Sequence, residues 1–346
     1  MTHILLVKLS SMGDLIQLLP ALSDARAQHP ELRFDWVADT AFAEIPRWHP
    51  GVDRVIVSAH RQWRERKSEF LRHGAGAWLR ELRARRYDLV IDAQGSWKSA
   101  AVTALARGPG AGLDRTGIRE PGAQWLYRQR YPVPRNRHAI ARWRALLAMA
   151  IGYRQPTGDL DFGLSAVSWP VPPVDLPAPA LTLVTNATWP TKHWPDAHWH
   201  QLIERGLDHG YSLVLPWGSA TERQRAERLA ANRPGVLVPP RMSLTEIAGL
   251  LATSVAVVSV DTGLAHLAAA LGRPVLTLYG PTNPRLIAAT GPAAQHLQAD
   301  TRDCIPCGRR QCRIPGYQGP EAQCLRELTP ALAWARLEQV LSPSPG

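Results

Sequence analysis

The stretch that decides the fold is ILLVKLSSMGD at residues 4–14, near the start of a 346-residue chain. Its first four residues are apolar and predict a buried β-strand, and the apolar spacing over residues 15–28 predicts a helix. The turn between them has too few glycines for a Walker A or GxGxxG loop, which disfavours kinases and Rossmann-type dehydrogenases. A strand followed by a short polar turn and a helix is typical of an α/β fold with parallel strands.

The same alternation continues along the chain and predicts two parallel sheets. In the first half, strands are predicted at 4–7, 34–37, 54–57 and 89–91, and helices at 15–28, 69–86, 99–107 and 139–151. In the second half, strands are predicted at 181–185, 212–215, 255–259 and 275–278, and helices at 197–207, 221–231, 244–251 and 264–271.

A proline-rich segment separates the two series. Residues 169–177 read WPVPPVDLP, and their four prolines exclude a regular helix and a central strand. We therefore predict a first domain at 1–168, a linker at 169–179, a second domain at 180–329, and a C-terminal helix and tail at 330–346. Two doubly wound domains leave a cleft between the carboxyl ends of their strands, where ligands of such folds bind.

The charge of the chain is uneven. The formal net charge is +11, with 40 Lys and Arg against 29 Asp and Glu, and the first 170 residues carry +9 of it. This predicts an anionic partner for the first domain: a nucleic acid, a membrane surface or an acidic substrate. Nine basic residues lie between Arg61 and Arg86, but Glu65, Glu69 and Glu81 interrupt them. With no recognised binding module there, nucleic acid is the least favoured partner.

Apolar runs are too short for a membrane span, and the N-terminus lacks the pattern of a signal peptide. We therefore expect a cytosolic chain, in which disulfides would be unusual. Four cysteines, Cys304, Cys307, Cys312 and Cys324, lie close together near the C-terminus. The C-x2-C pair allows a four-thiolate site for zinc or iron, while reduced loop thiols and disulfides are the alternatives.

Three loops that follow predicted strands contain candidate catalytic or ligand-binding residues. Asp14 is either a helix cap or a general base at the mouth of the cleft. Lys192, in the loop NATWPTKHWP at 186–195, suits a phosphate, although a solvated loop lysine is equally compatible. The third loop, SVDTGLAH at 259–266, places small residues at a helix N-terminus, which favours anion binding. His266 reaches the same ligand or is a structural histidine.

Taken together, these motifs resemble the ADP-heptose:lipopolysaccharide heptosyltransferases, glycosyltransferase family 9, and most of all the heptosyltransferase I type. The resemblance is carried by SSMGD at 10–14, FDWV at 34–37, DAQG at 92–95, KHWP at 192–195, SVDTGLAH at 259–266 and LYGPT at 278–282. It implies a GT-B architecture, in which two Rossmann-like domains face each other across a cleft. It also implies an inverting transfer of L-glycero-D-manno-heptose from ADP-heptose to Kdo of Kdo-lipid A, without a required metal. A member that adds heptose to another acceptor, a second inner-core heptose or a protein hydroxyl, is the alternative.

The resemblance also implies roles for single residues. Asp14 resembles the general base, and Lys192 the residue that binds the donor phosphates and offsets charge on the departing ADP. The donor-binding residues that it implies are Thr188, Lys192, Glu222, Met242, Asp261, Thr262, Gly263 and His266. The acceptor-binding residues that it implies are Ser10, Arg61, Arg64 and Arg119. The implied partners are ADP-heptose and the anionic Kdo-lipid A, met peripherally at the cytoplasmic face of the inner membrane.

Overall fold

A computed structural model describes residues 2–59, 74–319 and 321–341 of the chain. The chain divides into two compact units, Met1–Val167 (unit 1) and Ser168–Gly346 (unit 2). Each unit contains one six-stranded sheet in which every neighbouring pair of strands is parallel. The proline-rich residues 169–179 contain no helix or strand.

Unit 1 is ordered β3-β2-β1-β4-β5-β6. Its strands are β1 (His3–Val7), β2 (Arg33–Asp39), β3 (Val52–Ser58), β4 (Leu89–Asp92), β5 (Gly110–Leu113) and β6 (Gln129–Tyr131). Its helices are α1 (Met12–Ile16), α2 (Leu19–Gln28), α3 (Glu44–Trp48), α4 (Ala75–Leu82), α5 (Trp97–Leu105) and α6 (Ala139–Ile151), with short 3₁₀ helices at Thr40–Phe42 and Ala123–Leu126.

Unit 2 repeats this plan in the order β12-β11-β10-β7-β8-β9. Its strands are β7 (Ala180–Val184), β8 (Ser212–Val214), β9 (Val236–Leu237), β10 (Ala256–Val260), β11 (Val275–Tyr279) and β12 (Ala294–Gln298). Its helices are α7 (Asp196–Asp208), α8 (Ala220–Ala230), α9 (Leu244–Thr253), α10 (Gly263–Ala270), α11 (Pro284–Ile287), α12 (Gln323–Glu327) and α13 (Pro330–Leu341), with a 3₁₀ helix at Pro190–Lys192.

The central strands are buried on both faces. In β1 the residues Ile4 to Val7 are fully buried, and so is all of β10. This explains why they read as continuous apolar runs rather than as alternating patterns. The runs that the sequence identified as strands include these central ones, together with the edge strand β3.

Four strands, β5, β6, β9 and β12, were not predicted from the sequence, and one predicted helix is divided in two. A single helix was expected over residues 15–28, but the chain forms α1 and α2 with a break at residues 17–18. Pro20 lies just inside α2, and its ring is incompatible with a continuous helix through the preceding turn. The helix expected over 69–86 falls partly outside the described residues, and its described part, α4, ends at Leu82.

Among the helices of the described residues, none combines the length and the apolar character that crossing a bilayer requires.

Candidate functional site

Each sheet has one point at which its strand order reverses. It lies between β1 and β4 in unit 1 and between β7 and β10 in unit 2. The chain leaves the two neighbouring strands in opposite directions there, which opens a crevice at their carboxyl ends. A lysine–aspartate pair lies at each of these crevices.

In unit 1 the pair is Lys8 and Asp14, which follow β1. The Lys8 side chain is 3% exposed, and its Nζ lies 3.5 Å from Asp14 Oδ1. The same Nζ donates a hydrogen bond to the Ala93 carbonyl at 2.8 Å and lies 4.0 Å from the centre of the Trp143 ring. Three separate contacts therefore fix the ammonium group beside Asp14.

The Asp14 carboxylate is held from two sides. Its Oδ2 accepts hydrogen bonds from the Ser11 backbone N–H at 3.0 Å and the Ser11 hydroxyl at 2.7 Å. Burial by itself would raise the pKa of Asp14, but the Lys8 charge and the Ser11 hydrogen bonds lower it below its ordinary value. Asp14 thus caps α1 and also presents an ionised carboxylate that is 36% exposed.

A second loop, after β4, braces the first. Gln94 Oε1 accepts the backbone N–H groups of Leu9 at 2.7 Å and Ser10 at 3.2 Å. Asp92 is buried, and it accepts the Gln94 N–H at 2.7 Å and the Tyr127 hydroxyl at 2.7 Å. Asp92 and Gln94 belong to the motif DAQG at 92–95, but the sequence did not indicate a role for either of them. The structure shows that they hold the backbone of the loop that leads to Asp14.

Of the four residues expected to bind the acceptor, the structure describes two. Ser10 is half-buried in the braced loop, and Arg119 is exposed. The positive charge of Arg119 contributes to the low pKa of Asp14, so the two groups are electrostatically coupled. Arg61 and Arg64 lie outside the described residues.

In unit 2 the pair is Lys192, at the end of the 3₁₀ helix, and Asp261, directly after β10. Lys192 Nζ lies 2.7 Å from Asp261 Oδ2, and the two side chains are 16% and 5% exposed. Thr282, which follows β11, donates its hydroxyl to the same Oδ2 at 2.6 Å. Lys192 Nζ also lies 4.9 Å from the centre of the Trp189 ring. The structure therefore brings Lys192 and Asp261 together and adds Thr282, to which sequence analysis gave no role.

A buried arginine fixes the loop that carries Lys192. Arg225 on α8 donates to the carbonyls of Thr185 at 2.6 Å and Trp194 at 2.8 Å, which lie near the two ends of this loop. It also forms an ion pair with Asp196 at 2.7 Å. Arg225 could not be identified from the sequence, because nothing local distinguishes it from the other arginines of α8.

The remaining expected donor residues lie at the same edge of the sheet in different environments. Thr262 is the N-cap of α10, Gly263 is its first residue, and His266 is buried one turn further on. The first turn of α10 leaves backbone N–H groups without helical partners, which suits an anion.

Three further expected donor residues follow the strands β7, β8 and β9. Thr188 is exposed in the loop after β7. Glu222 caps α8, since its Oε2 accepts the N–H groups of Gly218 at 2.8 Å and Ser219 at 3.1 Å. Met242 is 7% exposed just before α9. These residues share the carboxyl edge of the sheet with the Lys192–Asp261 pair.

The four cysteines line one cavity of about 380 Å³ in unit 2, beside Thr191 of the Lys192 loop. All four are free thiols, with Cys304 and Cys307 exposed and Cys324 buried. Burial and the neighbouring thiols raise the pKa of Cys324 to about 12. Within the parts of the chain that the structure describes, no group of three or more His, Cys, Asp or Glu side chains is arranged to hold a metal ion. The metal site that the cysteine spacing allowed therefore has no support.

Two doubly wound units with charged pairs at their switch points define a two-domain α/β protein that binds ligands at the carboxyl edges of its sheets. The family model of glycosyltransferase family 9 (heptosyltransferase) matches residues 76–318. The lipopolysaccharide heptosyltransferase 1 of Pseudomonas aeruginosa is 46% identical over 352 residues, which cover 98% of both chains.

Two solved heptosyltransferase structures are also similar to this chain. "E. coli heptosyltransferase WaaC with ADP" superposes with a TM-score of 0.83 and 38% identity over 98% of this chain and 99% of that one. "E. coli heptosyltransferase WaaC with ADP-2-deoxy-2-fluoro heptose" gives a TM-score of 0.79 at 38% identity over 97% and 99%. The chain belongs to glycosyltransferase family 9, the heptosyltransferases, and is a glycosyltransferase. The resemblance, the α/β GT-B fold class and the enzyme class predicted from the sequence are confirmed.

Proposed function

We propose that this protein transfers L-glycero-D-manno-heptose from ADP-heptose to a hydroxyl of Kdo in Kdo-lipid A, with inversion at the anomeric carbon. The observation that carries the proposal is the 46% identity to a lipopolysaccharide heptosyltransferase 1 over 98% of both chains. The relatives of known structure support the donor, because they are heptosyltransferase structures with ADP and with ADP-2-deoxy-2-fluoro heptose.

We assign the acceptor to unit 1 and the donor to unit 2. Asp14 is the general base: it takes the proton of the attacking Kdo hydroxyl while the oxygen forms its bond to the anomeric carbon. Its carboxylate suits this task because it is ionised, oriented by Ser11 and Lys8, and 36% exposed. The proton ends on Asp14, and the bond between the anomeric carbon and the ADP oxygen breaks with its electron pair on ADP.

Lys192 is the cation that offsets the charge of the departing ADP. Asp261 and Thr282 hold it in place before the donor arrives, through Asp261 Oδ2. Thr188, Glu222, Met242, Thr262, Gly263 and His266 complete the donor site, with the N-terminus of α10 facing the pyrophosphate. Ser10, Arg61, Arg64 and Arg119 bind the anionic acceptor.

No metal is assigned a role in this reaction. The protein works at the cytoplasmic face of the inner membrane, where its lipid-linked acceptor is made, and associates with that membrane peripherally.

The proposal is tested by incubating the purified full chain with ADP-heptose and, in separate reactions, Kdo-lipid A, heptosylated core and a hydroxyl-rich protein. Mass spectrometry should show one added heptose on Kdo-lipid A and none on the others. Mass gain on heptosylated core or protein alone would assign the enzyme to a different acceptor. A nuclear magnetic resonance spectrum of the product then gives the anomeric configuration, and retention would contradict the single displacement.

A further inference from the structure

Among the described residues of unit 1, a group of large apolar side chains is exposed on one surface. We name Trp97, Leu105, Trp125 and Leu126 the α5 patch; they are 52%, 44%, 75% and 41% exposed. They are four of the seven large apolar side chains exposed in the described residues. Single exposed apolar residues are ordinary, whereas a cluster of them marks a surface that binds something.

The α5 patch is formed by two elements that pack together, α5 and the 3₁₀ helix Ala123–Leu126. The Trp97 ring lies against Gly122, so closely that a Cβ at Gly122 would come within 2.6 Å of it. On α5 the exposed positions Trp97, Ala101, Ala104 and Leu105 recur at helical spacing. Apart from Lys98, the outward face of α5 is thus apolar, unlike that of an ordinary surface helix.

Basic side chains border the α5 patch. Arg86, Arg107 and Arg128 line an open cavity of about 510 Å³ together with Leu126. Lys98 and Arg130 are also exposed next to the patch. Within the described residues, none of the ion pairs of unit 1 involves these five cations.

One acid, Glu120, lies at the patch, where it accepts the Trp97 backbone N–H at 2.8 Å. An apolar centre with a rim of unpaired cations complements one kind of surface in particular, a bilayer with anionic headgroups. Tryptophan is well suited to such a place, because its ring is apolar and its N–H is polar.

The α5 patch is continuous with the loop beside Asp14. Trp97 begins α5 directly after the loop Gln94–Ser96, whose Gln94 braces Leu9 and Ser10. Gly95 accepts the Glu120 N–H at 2.9 Å and contacts Arg119, so the two chain segments are joined at this point. The patch therefore runs from the sheet edge that carries Asp14, at Trp97, towards the opposite edge, at Leu105 and Leu126.

We propose that the α5 patch docks unit 1 on an anionic phospholipid bilayer, with Trp125 and Leu126 in the headgroup region and the arginine rim on lipid phosphates. This inference rests on the proposed function, which supplies a lipid-anchored acceptor. It adds the surface through which the enzyme meets the membrane that holds that acceptor.

The test is co-sedimentation of the full chain with phosphatidylcholine vesicles containing a quarter phosphatidylglycerol, and with vesicles of phosphatidylcholine alone. The wild type should bind the anionic vesicles much more strongly. Trp125→Ser with Leu126→Ser should lower the partition coefficient at least about tenfold, since burial of each side chain is worth more than this. Val171→Ser, at an 88% exposed valine of unit 2, is the matched control and should bind as the wild type does.

The rim is tested separately. Arg107→Gln with Arg128→Gln should lower binding to anionic vesicles about 25-fold at low salt, because each cation near such a surface contributes about fivefold. The difference should shrink in high salt, which screens exposed charges. Arg241→Gln, at an exposed arginine of unit 2, should have no comparable effect.

Activity separates this inference from the proposed function. The Trp125/Leu126 variant should keep wild-type turnover on a deacylated, water-soluble Kdo acceptor and lose it on Kdo-lipid A in vesicles. If the wild type fails on the soluble acceptor, the proposed function is wrong, whatever the vesicles show. Equal binding to both vesicle types, wild-type binding by the variant, or a variant that loses only self-association in sedimentation velocity would each overturn the docking surface.

Discussion

In unit 1 the lysine of the switch-point pair is 3% exposed and its aspartate 36%, whereas in unit 2 Lys192 is 16% exposed and Asp261 5%. The same two residue types therefore occupy equivalent points of two similar sheets with opposite exposure. Lys8 is buried against Trp143 and Ala93 and offers Asp14 to a ligand. Asp261 is buried against Thr282 and offers Lys192. The buried partner orients the exposed one, and the exposed one decides which chemistry each unit can perform.

The largest effect is expected from Asp14→Asn, which keeps the shape of the side chain and removes its basicity. The rate constant kcat should fall about 10²- to 10⁴-fold, as is common when a general base is removed. Affinity for ADP-heptose should stay within a factor of about three, because unit 2 is unchanged. Titration calorimetry with ADP, together with a radiolabelled heptose assay, measures both. Retention of more than a tenth of wild-type activity would show that Asp14 is not the base.

Lys192→Met should come next, because it removes the more exposed member of the unit 2 pair and leaves the buried Asp261 without its cationic partner. We expect the second-order constant kcat/KM for the donor to fall on the order of a hundredfold or more, the usual cost of losing one group that stabilises transition-state charge. Weaker ADP binding should accompany the lower rate. Lys192→Arg, which keeps the charge, is the control and should recover part of both. Unchanged KM and kcat in Lys192→Met would count against the phosphate role.

Lys8→Met should change how activity depends on pH. In the wild type the Lys8 charge helps to lower the pKa of Asp14, so the carboxylate form persists to low pH. Without that charge the pKa of Asp14 rises, more of it is protonated at acidic pH, and the acidic limb of kcat/KM moves to higher pH. The loss should be about tenfold or more at the acidic end and smaller near neutral pH.

The prediction for Lys8→Met is checked by measuring kcat/KM between pH 4 and 8. ADP affinity and thermal stability of the variant are the controls. A uniform loss at every pH, with no movement of the acidic limb, would mean that Lys8 is only a packing residue.

The smallest effect is expected from Thr282→Val, which removes one of the two groups on Asp261 Oδ2 and keeps the volume of the side chain. One hydrogen bond to a charged group is worth about 1.5–3 kcal/mol, so kcat/KM for the donor should fall by about tenfold. Thr282→Ser retains the hydroxyl and should be close to the wild type. If Val and Ser behave alike in steady-state assays, Thr282 does not position Asp261.

The two regions also differ in how much of them could be predicted from the sequence. The segments after three apolar strands carry Asp14, Lys192 and the residues 261–263, so the place of these residues at the carboxyl edge could be predicted from chain order alone. Lys8 was part of the quoted opening stretch, yet nothing local indicated that it would be buried. Its burial depends on Trp143, which is 135 positions away and meets it only in the folded unit. Thr282 and Arg225 were missed for the same reason, because their partners Asp261 and Thr185 are distant in the sequence.

The fold also has strands that could not be predicted from the sequence. β5 reads GAGL and has no β-branched residue, and its Gly112 lies against the Tyr127 ring, where a Cβ would be 2.5 Å from a ring carbon. β6, β9 and β12 are short or polar strands in the outer parts of their sheets. Outer strands are only partly covered, so they need no continuous apolar run and leave a weak signal.

The sequence by itself determined the central strands, the turns that follow them, the α/β class and the residues that each turn carries. These follow from burial on both faces and from chain order, which are local or one-dimensional properties. Only the tertiary structure decided which member of each lysine–aspartate pair is exposed, which hydroxyl or ring holds it, and that four apolar side chains of α5 and its neighbour form one surface. Those outcomes depend on desolvation and on contacts between segments that are far apart in the chain, and no local pattern contains either of them.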